Sequence, residues 1–130
     1  MAKIVGFSEA GYIALHCMML MAENGQRLLS VKEMASSLKV SEAHLAKVVL
    51  WLAKAELIKT TRGPKGGAVL ARAPQDISFL EIIEAIDGPV RSPGCVFGHS
   101  ECVYKECIFG DFISHMTDEA AKWLAEKKLA

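Results

Sequence analysis

The six residues Arg62-Gly-Pro-Lys-Gly-Gly67 constrain this chain more than any other stretch. Glycine and proline crowd a loop that can belong to neither a helix interior nor a strand interior. On either side lie short β-prone runs, Leu57-Ile-Lys-Thr-Thr61 and Ala68-Val-Leu-Ala-Arg72. Two such runs around a Gly/Pro loop predict a β-hairpin.

Helical patterns surround this hairpin. Ser8 to Asn24 reads as a helix, with Ile13, Cys17, Leu20 and Met21 at helical spacing and Gly25 as its stop. Ser30-Val-Lys-Glu33 has the form of a capping box and opens a short helix, Val31 to Leu38. Lys39-Val40 makes a turn, and Ser41 caps a third helix that ends near Glu56, with Leu45, Val48, Val49 and Leu52 on one face. Two short helices joined by a tight turn form a helix-turn-helix, and a hairpin directly behind it is a wing. A second capping box, Ser78-Phe-Leu-Glu81, starts a helix through Ile82, Ile83 and Ile86 that Gly88-Pro89 closes. Residues 90–107 lack periodicity. Ile108 to Lys128 is again helical, with Ile108, Phe112, Met116, Ala120 and Trp123 along one stripe. That helix is too long to pack wholly on a small winged domain, so its stripe points to a partner subunit. The predicted fold is mainly α with a small β-hairpin wing: a winged helix-turn-helix (1–88), a cysteine-rich loop (89–107) and a dimerisation helix (108–130).

The chain of 130 residues is 52% hydrophobic, as a globular protein is. Its net charge is zero, but the distribution is uneven. Between Arg27 and Arg72 nine Lys/Arg face three Glu, a net +6, and the remainder carries −6. A basic front and an acidic back suit a polyanion-binding module joined to something else. The N-terminus lacks the apolar core of a secretory signal. The most apolar run, Tyr12 to Ala22, has about half the length of a membrane span and is interrupted by His16. A cytoplasmic protein with no membrane partner is expected.

Reading duplex DNA requires a helix that enters the major groove with polar groups near its N-terminus. The helix at Ser41 offers Ser41, Glu42, His44 and Lys47. Ser41 and the helix N-terminus suit a phosphate, Lys47 adds charge, and Glu42 or His44 suits base edges. At the wing, Arg62, Gly63, Pro64 and Lys65 combine cationic side chains with a backbone that can come close to DNA, and arginine inserts well into a narrow minor groove.

Cys95, Cys102 and Cys107 fall within thirteen residues. Such clustering in a cytoplasmic chain points to metal or redox chemistry rather than structural disulfides. Thiolates are soft ligands that suit an iron–sulfur cluster or zinc, and either centre usually takes four protein ligands. His99, inside the loop, is one candidate for the fourth. Cys17 lies on an apolar helical face and reads as a small buried hydrophobe.

The wing Arg62–Gly67, the stretch Ala14-Leu15-His16, the pair Leu57-Ile58, the helix end Glu84-Ala-Ile-Asp-Gly88 and the three clustered cysteines together resemble the Rrf2 family of winged-helix transcription regulators. The resemblance covers nearly the whole chain. It implies a homodimer on a palindromic operator, with the last helix crossing its partner. It also implies a cluster, 2Fe-2S or 4Fe-4S, whose state controls DNA binding. Cluster-bearing members complete their ligand set from another residue type, in some cases from the first helix of the other subunit, where Glu9 and His16 are the candidates here. The histidine that some members carry three residues after the last cysteine is replaced by Gly110.

The expected function is a DNA-binding transcription regulator sensing iron–sulfur status, redox state or nitric oxide. The alternative is the same DNA module with a structural zinc or a cysteine thiol switch in the loop. An enzyme is not expected: the sequence has no Cys-x-x-Cys, no nucleotide-binding glycine fingerprint and no evident acid–base pair.

Overall fold

Serine hydroxyls start four of the helices. Ser8, Ser30, Ser41 and Ser78 all have extended backbone and accept from the amides of Gly11, Glu33, His44 and Glu81, satisfying donors that a helix start leaves open. The computed structural model describes residues 6–91, 95 and 102–130. In order its elements are α1 (Glu9–Glu23), α2 (Val31–Leu38), α3 (Glu42–Lys54), β1 (Ile58–Thr61), β2 (Gly67–Leu70), a 3-10 turn (Pro74–Asp76), α4 (Phe79–Asp87) and α5 (Phe112–Glu126).

The core lies among the helices. Ala14, Cys17, Met18 and Met21 of α1 are buried with Met34 of α2, Leu45, Val48 and Leu52 of α3, and Ile82 of α4. Burying a large side chain of this kind contributes about 1.5–3 kcal/mol, so this one cluster supplies most of the folding drive. Cys17 takes part as a small hydrophobe, its Sγ 3.6 Å from Met34 Sδ, and burial pushes its thiol up to about 12.

β1 and β2 pair antiparallel with Ile58 opposite Leu70 and Thr61 opposite Gly67. An isolated two-stranded hairpin is marginal in water, and a third segment supports this one. Leu29, just before α2, exchanges backbone hydrogen bonds of 3.1 and 2.8 Å with Ala68. Gly67 lets the two backbones approach: a Cβ there would lie 2.6 Å from the Leu29 carbonyl oxygen.

Two expectations are corrected. The box at Ser30 is only half made, because the Glu33 carboxylate pairs with Arg27 at 2.9 Å while Ser30 caps the Glu33 amide alone. The box at Ser78 and Glu81 is complete. The last helix runs Phe112–Glu126, not Ile108–Lys128. Gly110 takes φ +59 in a turn that its amide closes on the Cys107 carbonyl, which leaves Ile108 outside the helix and exposed. At the other end the chain turns extended: Phe79 donates to the Lys127 carbonyl at 2.9 Å and Leu129 to the Ile77 carbonyl at 3.1 Å. No helix among the described residues is long and apolar enough to cross a membrane.

Candidate nucleic-acid interface and cysteine loop

The turn between α2 and α3 places Lys39 in the left-handed region at φ 58, and Ser41 then caps α3 by accepting from the His44 amide at 3.2 Å. Leu45, Val48 and Leu52 bury one side of α3, which fixes the opposite side outward. Ser41, Glu42, Ala43, Ala46, Lys47 and Leu50 are exposed, whereas His44 is half-buried on a flank. The outward face thus carries the predicted Ser41, Glu42 and Lys47, and His44 stands to one side of it.

α3 packs directly against β1, so the hairpin adjoins this helix. At its tip Arg62, Gly63, Pro64 and Lys65 are all exposed. Gly63 adopts φ +103 and accepts from the Gly66 amide at 2.9 Å, and a Cβ on Gly66 would lie 2.0 Å from the Thr61 carbonyl oxygen. These glycines let the backbone turn tightly at the tip. The ion pairs among the described residues, Arg27–Glu33 and Arg72–Glu81, leave Lys47, Arg62 and Lys65 available for phosphate.

The cysteine loop joins α4 to α5, and its first turn is tied down. The Val90 amide donates to Glu84 Oε2 at 3.0 Å. The Ser8 amide donates to Asp87 Oδ2 at 3.0 Å, and the Ser8 hydroxyl donates to Asp87 Oδ1. Asp87, the last residue of α4, therefore sits at the N-terminus of α1, where a carboxylate is favoured by the helix dipole. This clasp spans 79 residues of sequence. Gly11 makes room for it, since a Cβ there would lie 2.9 Å from Asp87 Oδ2.

Cys95 is half-buried, and Cys102 and Cys107 are exposed. The Tyr104 amide donates to Cys102 Sγ at 3.4 Å. Among the described residues no group of three His, Cys, Asp or Glu is drawn together as a metal site. Three soft thiols in one loop fit an iron–sulfur cluster or zinc by donor chemistry, with one further donor required. Of the candidates for that donor, His99 lies outside the described residues. Glu9 and His16 share one face of α1 and line a common groove of about 250 Å³ with Tyr12, Ile13, Leu38 and Val40. His16 Nδ1 lies 2.7 Å from the Tyr12 carbonyl oxygen. With Nδ1 engaged there, Nε2 is the ring nitrogen left to meet a ligand, an arrangement common to metal-bound histidines.

Of the predicted stripe on α5, Phe112 and Trp123 are exposed, at 45% and 57%. Trp123 makes an edge-to-face contact with Phe79, ring centroids 6.1 Å apart. Met116 and Ala120 of that stripe are half-buried, as are Ile113 and Thr117, and Leu124 is buried. Sequence reasoning missed the Ser8–Asp87 clasp and the outward position of Leu50, and a helical wheel of α3 would have found the latter.

The model of the Rrf2 family, described as an iron-dependent transcriptional regulator, matches residues 7–130. The transcriptional regulator NsrR of Bacillus licheniformis is 31% identical over 101 residues, covering 78% of this chain and 69% of the relative. Matched stretches cover 67% and 63% of two further relatives, from Aquifex aeolicus and Rhodobacter capsulatus. Among solved structures, CymR, the global cysteine regulator of B. subtilis, superposes with a TM-score of 0.79 at 27% identity, covering 96% of this chain and 93% of the other. IscR of T. potens shares the fold with a TM-score of 0.76 at 24% identity, covering 96% and 83%. These are regulators and not enzymes. The family match runs unbroken through the helix-turn-helix, the hairpin, the cysteine loop and the terminal helix, and this chain belongs to the Rrf2 family of transcription regulators.

Proposed function

We propose that this regulator binds duplex DNA as a homodimer, at a palindromic operator, and that the state of an iron–sulfur cluster on its cysteine loop controls that binding. The observation that carries the reading is one polypeptide joining two parts: an outward α3 face with a cationic wing tip, and a loop with three soft thiols between α4 and α5. Ser41 and Lys47 hold phosphate, Glu42 meets base edges, and Arg62, Gly63, Pro64 and Lys65 follow the neighbouring minor groove. The exposed Phe112 and Trp123 on α5 suit burial against a second copy.

Cys95, Cys102 and Cys107 hold the cluster, with Glu9, His16 or His99 as fourth donor. Bound, the cluster supplies a centre whose oxidation or loss changes the charge and shape of the loop. The chain's own residues carry that change onward. α4 contacts α1, α3 and α5, so a loop that pulls on Asp87 or Phe112 bears on the helix that supports α3. The family's iron-dependent description supports this reading.

A second reading leaves the loop without a cluster and makes it a thiol switch, which the exposure of Cys102 and Cys107 favours. One sample decides between them. An anaerobic absorption spectrum with iron, sulfide and zinc analysis, followed by anisotropy titration of duplex DNA from upstream of its own gene, is expected to show iron, acid-labile sulfide and cluster-dependent affinity. A metal-free protein after reconstitution, with affinity that follows thiol oxidation, would establish the switch. Stoichiometric zinc would make the loop structural.

A further inference from the structure

The outward face of α3 has an apolar midline. At about 100° per residue, Ala43, Ala46 and Leu50 fall within an arc of about 60°. All three are exposed, Leu50 to 55%, and none carries a hydrogen-bonding side-chain atom. Charged groups are confined to the margins: Glu42 on one side, Lys47 and Lys54 on the other, all exposed. An isolated exposed leucine means little. Here it continues a line of two alanines along the middle of a helix whose surroundings are cationic, from Lys39 and Lys47 to the wing tip at Arg62 and Lys65.

The bases offer such a midline one complementary feature. Every base pair presents donors or acceptors in the major groove, and only thymine also presents an apolar group, its C5 methyl. A serine, asparagine or arginine on the midline would select a hydrogen-bonding pattern. Two alanines permit close approach of the α3 backbone and contribute only methyl surface. We infer that this regulator reads its operator chiefly through thymine C5 methyl groups packed against Ala43, Ala46 and Leu50, with the lysines at the margins holding the phosphates. The inference rests on the DNA-binding reading above and specifies what that site recognises.

The test begins with selection of duplexes from a random library by the full-length protein, purified anaerobically. Each thymine of the selected site is then replaced by deoxyuracil, which removes the methyl and keeps the minor-groove edge. Burial of one methyl-sized group predicts about fourfold weaker binding at each contacted thymine. Leu50→Ala and Ala46→Ser change exposed positions and leave the core intact, and each is expected to bring the thymine-to-uracil ratio toward one at its own position. Arg62→Ala lowers affinity for both duplexes and leaves the ratio unchanged. Equal affinity for thymine and uracil duplexes at every position, with site-specific binding retained, overturns this inference and leaves the DNA reading standing. A uracil penalty that survives in both Leu50→Ala and Ala46→Ser places the methyl contacts on another element and overturns it as well. Failure to bind any duplex overturns both readings together.

Discussion

Replacing Gly67 with alanine should unseat the wing from the body of the protein. The Cβ would lie 2.6 Å from the Leu29 carbonyl oxygen, 2.7 Å from its carbonyl carbon and 3.0 Å from its nitrogen. All three are backbone atoms, which cannot rotate aside as a side chain can. Relief must come from moving β2 away from Leu29, and that breaks the pair of backbone hydrogen bonds between Leu29 and Ala68. Each contributes about 1 kcal/mol net. Leu29 is also 1% exposed, and partial loss of its packing adds about 1–2 kcal/mol. The expected cost of about 3–4 kcal/mol lowers the melting temperature by roughly 10 °C or more for a domain of this size. Circular dichroism melts of wild type and Gly67→Ala measure this, with hydrogen exchange at the Ala68 amide reporting the broken bridge. Lys65→Ala, at the exposed tip, serves as a control with unchanged melting. A Gly67→Ala melt within 2 °C of wild type, with Ala68 still protected, would refute the argument from close approach.

Arg62→Ala and Lys65→Ala should each reduce the slope of log affinity against log salt concentration by about one, if each side chain neutralises one phosphate; an unchanged slope removes that residue from the interface. Native alkylation followed by mass spectrometry should modify Cys102 and Cys107 in the metal-free protein and spare Cys17, whose thiol burial pushes up to about 12, until denaturant is added. Labelling of native Cys17 at neutral pH would contradict its place in the core. Burial raises the Glu81 carboxyl, but the Ser78 amide, the Arg72 guanidinium and Lys128 outweigh it and hold the group below its usual 4.5. Its stabilisation is therefore present above that value and is lost as pH falls through the folded-state value. Glu81→Gln should flatten the acid side of the stability curve, and because the pair is exposed the loss at neutral pH is only about 1 kcal/mol.

The parts of this fold that were legible in the sequence are governed by neighbours a few residues apart. Serine caps at 8, 30, 41 and 78, the Gly/Pro loop at the wing and the helical spacing of Leu45, Val48 and Leu52 all act within one turn or one hairpin. What escaped depends on distant partners. Lys127 to Leu129 has nothing local to make it extended, and it becomes so by pairing with Ile77 to Phe79, some fifty residues earlier. Glu33 has the right spacing for a reciprocal cap and is drawn off by Arg27. Choosing by chemical type picked Ser41, Glu42 and Lys47, which the helix angle turns outward, but it also took His44, which lies on a half-buried flank, and passed over the outward Leu50. The cysteines announce themselves by type and proximity. A fourth donor is set by folding: the family resemblance already named Glu9 and His16, and α1 adds that both line one groove.

The pairing of residues 77–79 with 127–129 also has a mechanical consequence. α4 and α5 run antiparallel, pinned together at one end by this short ladder and joined at the other by the cysteine loop, like the arms of a pair of tongs. Were that pin to act as a pivot, α5, with its 15 residues, would be an arm of about 22 Å. A 1 Å change in the span of the loop would swing that arm by roughly 3°, and the motion would grow toward Phe112, the end farthest from the hinge. Whatever docks against the outer side of α5 near the loop would feel the full stroke, and contacts near Trp123 would feel almost none.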